Sequence, residues 1–269
     1  AQHDMDREGL ARLSFSEIYD RVDVDNTSKL SYHLGELTGT FLRKDEPGYS
    51  FTHAGEHVVR FILAENFAEP RDFGPVEIDG TCIHCEAERL SARVNHQVFY
   101  VECDACGGMN LAHGIRPAQA RNRDGQELLE SFAHRHVSDF AGVVRGLCPM
   151  CDGPMETTVE DAPPVGLPDP VSYLAVSECG ECLRRHNAPL SYTVVHHPAS
   201  IAFHWNHGVD VTSMPMWEFH TNAVEGNWTA ERVDDEPETY RVVLRADGDE
   251  LRATVDDTAT VTHTERVRR

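Results

Sequence analysis

Four copies of one short signal restrict this chain more than anything else in it: Cys82-x-x-Cys85, Cys103-x-x-Cys106, Cys148-x-x-Cys151 and Cys179-x-x-Cys182. They use all eight cysteines. Two thiolates three positions apart can grip one metal ion from a tight turn, and a second such knuckle closes a tetrahedron of four thiolates. The first two pairs are 17 residues apart, within the ordinary two-knuckle range. The last two are 27 apart, and the excess is a proline-rich insertion running from Asp161 to Pro170. Glycines beside or inside the pairs (Gly107, Gly108, Gly153 and Gly180) suit tight thiolate turns. Each half of the chain therefore holds a complete ligand set, with pairing across the halves as the alternative. A closed four-thiolate site keeps no position for water, so two structural Zn²⁺ ions are expected, not catalytic ones. A disulfide framework belongs to small secreted chains, and no signal peptide is visible. Redox dithiols are the other reading, in which oxidation ejects the metal.

The formal net charge is −21, and the only lysines are Lys29 and Lys44. An acid-rich, lysine-poor surface suits a cytoplasm at molar salt, where repulsion is screened over about 3 Å. This composition resembles that of haloarchaeal proteins; an ordinary acidic mesophile protein is the alternative. No apolar run is long enough to span a bilayer, and thiols reserved for metal point to the cytoplasm. At 269 residues the chain has room for two or three domains. It starts at Ala1 without Met, as a fragment or trimmed chain would.

The N-terminal pattern is helix, tight turn, helix, hairpin, helix. Ser14-Phe-Ser-Glu-Ile-Tyr-Asp-Arg-Val22 reads as a capped helix, with Ser14 as cap and Glu17 in the first turn. After Asp23–Asn26, Thr27–Leu37 opens a second helix with Leu30, Leu34 and Leu37 on one face. Phe41–Lys44 and Tyr49–Thr52 flank the turn Asp45-Glu-Pro-Gly48 as a β-hairpin. A helix from Ala54 to Phe67 is expected to bury Val58, Phe61, Ile62 and Phe67. The outward face of the second helix offers Ser28, Lys29, Ser31, Tyr32 and His33, and the hairpin offers Arg43 and Lys44. These groups suit base edges and phosphates. Both lysines of the chain fall here. A unit of this shape used for protein contacts is the alternative, supported by its excess of acids over bases.

The order Phe-Ser-Glu-Ile, then Ser-Tyr-His-Leu-x-x-Leu, then a wing ending Tyr-x-x-Thr-x-x-Gly, resembles the winged-helix domain of ArsR-type transcription regulators. The stretch Leu30-Ser-Tyr-His-Leu-Gly-Glu-Leu37 is similar to haloarchaeal members with a cysteine-rich C-terminal region. The resemblance implies a winged helix-turn-helix over residues 1–67 that reads double-stranded DNA as a homodimer. The family's long dimerisation helix has no counterpart in the short, polar residues 1–13.

Residues 68–80 read as a linker. Residues 81–145 and 146–269 then repeat one order: Cys-x-x-Cys, strand, aromatic strand, Cys-x-x-Cys, helix. Both expected helices, Glu127–Asp139 and Ala199–Asp210, carry a Phe followed by His-x-x-Asp. The helices bearing Phe132 and Phe203 are expected to meet along a pseudo-two-fold interface. His134, His136, His204 and His207 would then line a candidate pocket for a small-molecule or metal effector. The three tryptophans, Trp205, Trp217 and Trp228, read as core or interface residues. The tail, from Tyr240 to Val267, reads as two or three strands with an Asp247-Gly248 turn.

The fold class expected is α+β: an N-terminal winged helix-turn-helix, a duplicated zinc-ribbon and helix region, and a β-rich tail. No nucleophile beside a base and no phosphate-cradling loop is visible, so no enzyme is expected. The function expected is a DNA-binding transcription regulator. Its rivals are an adaptor contacting polymerase and a thiol redox sensor.

Overall fold

The computed structural model describes residues 12–46, 48–68, 72–163 and 171–268. Among the described residues the fold is mixed α+β with four antiparallel sheets, and the chain divides into two units, 1–69 and 70–269. None of the helices among the described residues is long and apolar enough to cross a membrane.

In the first unit, helix α1 (Phe15–Tyr19) starts at Ser14, whose hydroxyl accepts from the Glu17 N–H while the Glu17 carboxylate accepts from the Ser14 N–H. Asn26 caps α2 (Thr27–Leu37) by accepting from the Lys29 N–H at 2.9 Å. Each cap satisfies donors that a helix start would otherwise leave orphaned. Strands β1 (Leu42–Asp45) and β2 (Gly48–Phe51) form the hairpin, and α3 (His53–Leu63) follows a Thr52 cap. Leu30, Leu34, Leu42 and Tyr49 make a small core, flanked by Phe15, Ile18, Tyr19, Val24 and Phe51.

One expectation fails in this unit: Val58, Phe61, Ile62 and Phe67 are exposed, the last at 63 %. The reason is how α3 docks. Its buried residue is Gly55, where an added Cβ would strike the Phe41 carbonyl, so the helix is held by its first turn. In the later turns Val59 and Leu63 are only half-buried.

The second unit opens with β3 (Phe73–Ile78), β4 (Leu90–Asn95), β5 (Val98–Cys103) and β6 (Met109–Gly114), hydrogen-bonded in sequence order. Alternate residues Leu90, Ala92, Val94 and Phe99, Val101, Cys103 point inward, as period-2 strands require. After the short α4 (Pro117–Ala120), the 20-residue α5 (Gly125–Val144) covers that face with Leu128, Leu129, Phe132 and Ala133. Phe132 stacks on Phe99 with centroids 3.8 Å apart.

Strands β7 (Met155–Asp161), β8 (Tyr173–Cys179) and β9 (Arg185–Pro189) form the second ribbon. Helices α6 (Leu190–Val195), α7 (Pro198–Asn206) and α8 (Met216–Val224) follow. They pack on a four-stranded meander, β10 (Trp228–Asp235), β11 (Glu238–Ala246), β12 (Asp249–Asp256) and β13 (Val261–Val267). Three strands, β11 to β13, cover the stretch read as the tail, and β10, beginning at the buried Trp228, precedes it. Asp247 and Gly248, both at positive φ, make the expected two-residue turn.

The repeat holds for the ribbons and stops there. In each, the first strand residue lies across from the first cysteine of the second knuckle: Leu90 from Cys103, Met155 from Cys179. The helices differ. Phe132 and Phe203 sit in different cores, so no pseudo-two-fold helix pair forms. Instead α5 serves both, with Phe132 in the first core, Phe140 in the C-terminal core, and Val143 packed beside Cys148 and Cys179.

Candidate metal centres and a histidine-lined cavity

All four knuckles fold the same way. The N–H four residues after each first cysteine donates to that cysteine's carbonyl, at 2.8–3.1 Å (Glu86, Gly107, Asp152 and Leu183). The first cysteine's own N–H donates to the carbonyl five residues on, at 2.9–3.0 Å (Ala87, Gly108, Gly153 and Arg184). The residue after each second cysteine takes left-handed backbone: Glu86, Asp152 and Leu183 at φ of 59–60°, and Gly107 at 72°. Three of the four carry a side chain where glycine is favoured. Such strain persists where the surroundings impose it. Close approach explains two glycines: a Cβ on Gly108 would meet the His84 ring at 2.4 Å, and one on Gly153 would meet the Cys151 sulfur at 3.2 Å. Gly180 has open space around it and is not required.

These turns bring Cys82, Cys85, Cys103 and Cys106 together, and Cys148, Cys151, Cys179 and Cys182 together, with ligand atoms within 4.8 Å of one another in each set. The halves pair internally, not across. Between knuckles the sulfurs stand 3.8 and 3.7 Å apart in the first set and 3.6 and 3.5 Å in the second. No disulfide joins them. A tetrahedron with metal–sulfur bonds of about 2.3 Å has edges of about 3.8 Å, so each set can hold one metal ion. Backbone N–H groups stabilise the thiolates: His84 points at Cys82, Ala105 at Cys103, Gly108 at Cys106 and Met150 at Cys148, at 3.3–3.5 Å. Burial alone would raise the Cys82 thiol, but the His84 and Cys85 N–H groups and the Asn110 amide outweigh it and hold the thiol below its ordinary range. In each set the two first-of-pair cysteines are buried and the two second-of-pair ones exposed.

The DNA-facing candidates all lie on the solvent side of the first unit: Ser28, Lys29, Ser31, Tyr32 and His33 on α2, Arg43 and Lys44 on β1. Lys29 pairs with Asp25 at 2.8 Å, Lys44 lies over the Tyr49 ring, and Arg43 donates to the Phe51 carbonyl at 3.3 Å.

The four histidines expected to share a pocket do not meet. His134 is exposed. His204 is buried against Trp228 and bonded to Ser200, while His207 caps α7 and faces Asp247 and Asp249 at 3.4 and 3.7 Å. Neither His-x-x-Asp is a pair, because Asp139 binds Arg135 and Asp210 binds Thr212 and Ser213. Only His136 reaches a cavity with other imidazoles, of about 410 Å³, together with His113, His186 and His220. Sequence reasoning missed those three. A signal existed: Arg184-Arg185-His186 sets three basic residues side by side in a chain of net charge −21. Of the tryptophans, Trp217 and Trp228 are core and Trp205 is exposed.

Burial pushes the pKa of His113 down to about 4, with His186 and Arg184 adding to it, and that of His136 down to about 3, with His113 adding to it. Both are neutral at pH 7. Tyr192 and His220 share a buried hydrogen bond at the same cavity.

A family model described as "Domain of unknown function (DUF7351)" matches residues 79–261, and a second, "Domain of unknown function (DUF7347)", matches residues 3–62. No curated protein and no solved structure matches the chain. Because the first model spans both cysteine sets, α5 and most of the C-terminal sheet, more than half of the sequence, the chain belongs to the DUF7351 family.

Proposed function

We propose that this chain is a DNA-binding transcription regulator of winged-helix type whose second unit is built on two structural zinc ions. The observation that carries the DNA reading is the division of α2: Leu30 and Leu34 inward, Ser28, Lys29, Ser31, Tyr32 and His33 outward. The helix–helix–hairpin–helix order of the first unit supports it, since such units place the second helix in the major groove and the hairpin beside the backbone. Zinc is the metal favoured by four thiolates at tetrahedral spacing, and closed sites of this kind stabilise folds and leave no place for a substrate.

Selection of bound sequences from a random duplex library, with the metal-loaded full chain, tests this. Enrichment of a defined motif, protected in a footprint, is expected; recovery of unenriched DNA overturns it. The outward apolar residues of α3, Val58, Phe61 and Ile62, favour a second reading in which the first unit docks on a protein of the transcription apparatus. In that case footprints appear only when the partner is present.

A further inference from the structure

The cavity around His136 differs from the rest of the molecule in charge. The chain has 45 acidic residues, yet none of the described residues lining this space is Asp or Glu. The lining brings together β6 (Asn110 to His113), α5 (His136 and Phe140), β9 with the preceding Arg184, and Tyr192, Met216 and His220.

Three of its polar atoms are unspent. His136 Nδ1, His186 Nε2 and Arg184 Nε are buried without a hydrogen-bond partner. A buried polar atom left in that state is destabilising, and functional sites are where folds tolerate it. His136 is 8 % exposed, so this is not a surface imidazole waiting for water. The neighbouring charges are otherwise engaged. Arg185 pairs with Glu160 at 3.5 Å, and Asp139, whose field reaches His113 and His186, is held by Arg135 at 2.8 Å.

We propose that this cavity binds a small organic carboxylate, with Arg184 and the imidazoles of His113, His136 and His186 holding the anionic end. Phe140, Leu174 and Met216 supply apolar wall for the rest of the molecule. A guanidinium and neutral imidazole N–H groups are donors, and an anion accepts charge-assisted bonds from them. The volume lies in the range of small-molecule sites, about 300–1,000 Å³, and is far larger than one ion needs. A bare metal fits less well. The His113 and His136 rings are 4.5 Å apart and His113 and His186 6.0 Å, but among the described residues only the two cysteine sets bring three or more ligand atoms within metal-binding reach. Nothing in this site depends on what the first unit binds.

The test uses the metal-loaded full chain with ¹⁵N-labelled histidine, titrated with phenylacetate and, separately, with its neutral isostere phenylacetamide. Phenylacetate is expected to shift the His113, His136 and His186 ring signals saturably at millimolar concentration, with the amide at least about tenfold weaker. Arg184→Gln should lose about tenfold or more of the phenylacetate response while keeping both metal ions, and His113→Leu should weaken it as well. Equal response to acid and amide, or no response to the acid at about 20 mM (roughly three times the Kd that about −0.3 kcal/mol per non-hydrogen atom would give), overturns the proposal. Tight uptake of a third Zn²⁺ that is lost in His136→Ala would assign the cavity to metal, and overturns it too. The acid–amide contrast is read on the unaltered chain, so it stands even if a variant fails to fold.

Discussion

Tyr192 donates a 2.7 Å hydrogen bond to His220 Nδ1, both groups buried, and the direction of that bond is fixed by what lies beyond it. His220 Nε2 sits 3.1 Å from the Asn110 carbonyl, which can only accept, so the ring proton is on Nε2 and Nδ1 must receive. The Asn110 side chain in turn accepts from the Ile83 N–H at 2.9 Å and reaches the Cys82 sulfur at 3.7 Å. A line of hydrogen bonds therefore runs from the C-terminal core to the first cysteine set. Tyr192→Phe leaves Nδ1 buried and unpaired. It should destabilise the second unit by about 1–3 kcal/mol, read as a lower denaturation midpoint. An unchanged midpoint would mean the ring finds another donor.

The metal centres lead to a stoichiometric prediction. The reduced chain should carry two zinc ions by elemental analysis. Cys82→Ser or Cys179→Ser, which remove buried ligands, should each lower that to one and unfold the affected ribbon. Zinc sites of this kind can contribute about 10 kcal/mol or more to folding, so chelation should abolish the cooperative unfolding of residues 70–269. Retention of native circular dichroism after complete metal removal would show that the knuckles hold without an ion.

Buried neutral imidazoles make stability depend on pH. Burial lowers His113, His196 and His220 to about 4 and His136 to about 3, from an unfolded value near 6.5. Below pH 6.5 the unfolded chain therefore binds protons that the folded chain refuses. Stability is fully present above that pH and is lost as pH falls toward 4. Each group contributes at most about 1.4 kcal/mol per pH unit in the window. Denaturation midpoints at pH 7.5, 6.5 and 5.5, with metal content checked at each, should fall between the last two. A flat profile would show the rings are solvated.

For the first unit, Lys29→Ala should weaken binding to a selected operator by about 1–3 kcal/mol if it contacts a base, and Lys44→Ala should act on all sequences alike through phosphate. The existing pair of Lys29 with Asp25 predicts a smaller loss in Asp25→Ala, or a gain. If the double variant Lys29→Ala and Lys44→Ala binds as the unaltered chain does, α2 is not the reading helix.

What was legible in the sequence was local chemistry. Cys-x-x-Cys spacing gives ligand sets because the knuckle is closed by its own backbone bonds. Ser14 with Glu17, and Asp247 with Gly248, announce a helix start and a hairpin because those geometries need only neighbouring residues. What was not legible depended on distant placement. The apolar face of α3 reads as core, yet nothing in residues 53–67 reveals that Gly55 would be the helix's buried residue. His136 and His134 are two positions apart in one helix, and only the packing of β6 and β9 decides which one meets His113 and His186.

Helix α5 sets a rule for how chains of this family can change. Phe132 and Phe140 are eight residues apart, about 12 Å along the axis, and they anchor in separate cores while Val143 packs beside Cys148 and Cys179. A single residue inserted between them would turn everything after it by about 100°. Phe140 and Val143 would swing away from their pockets, and the second ribbon would be carried out of step with the first. Relatives should therefore differ in length within their connecting loops and keep this helix at constant count, like a toothed shaft on which two wheels must stay in phase.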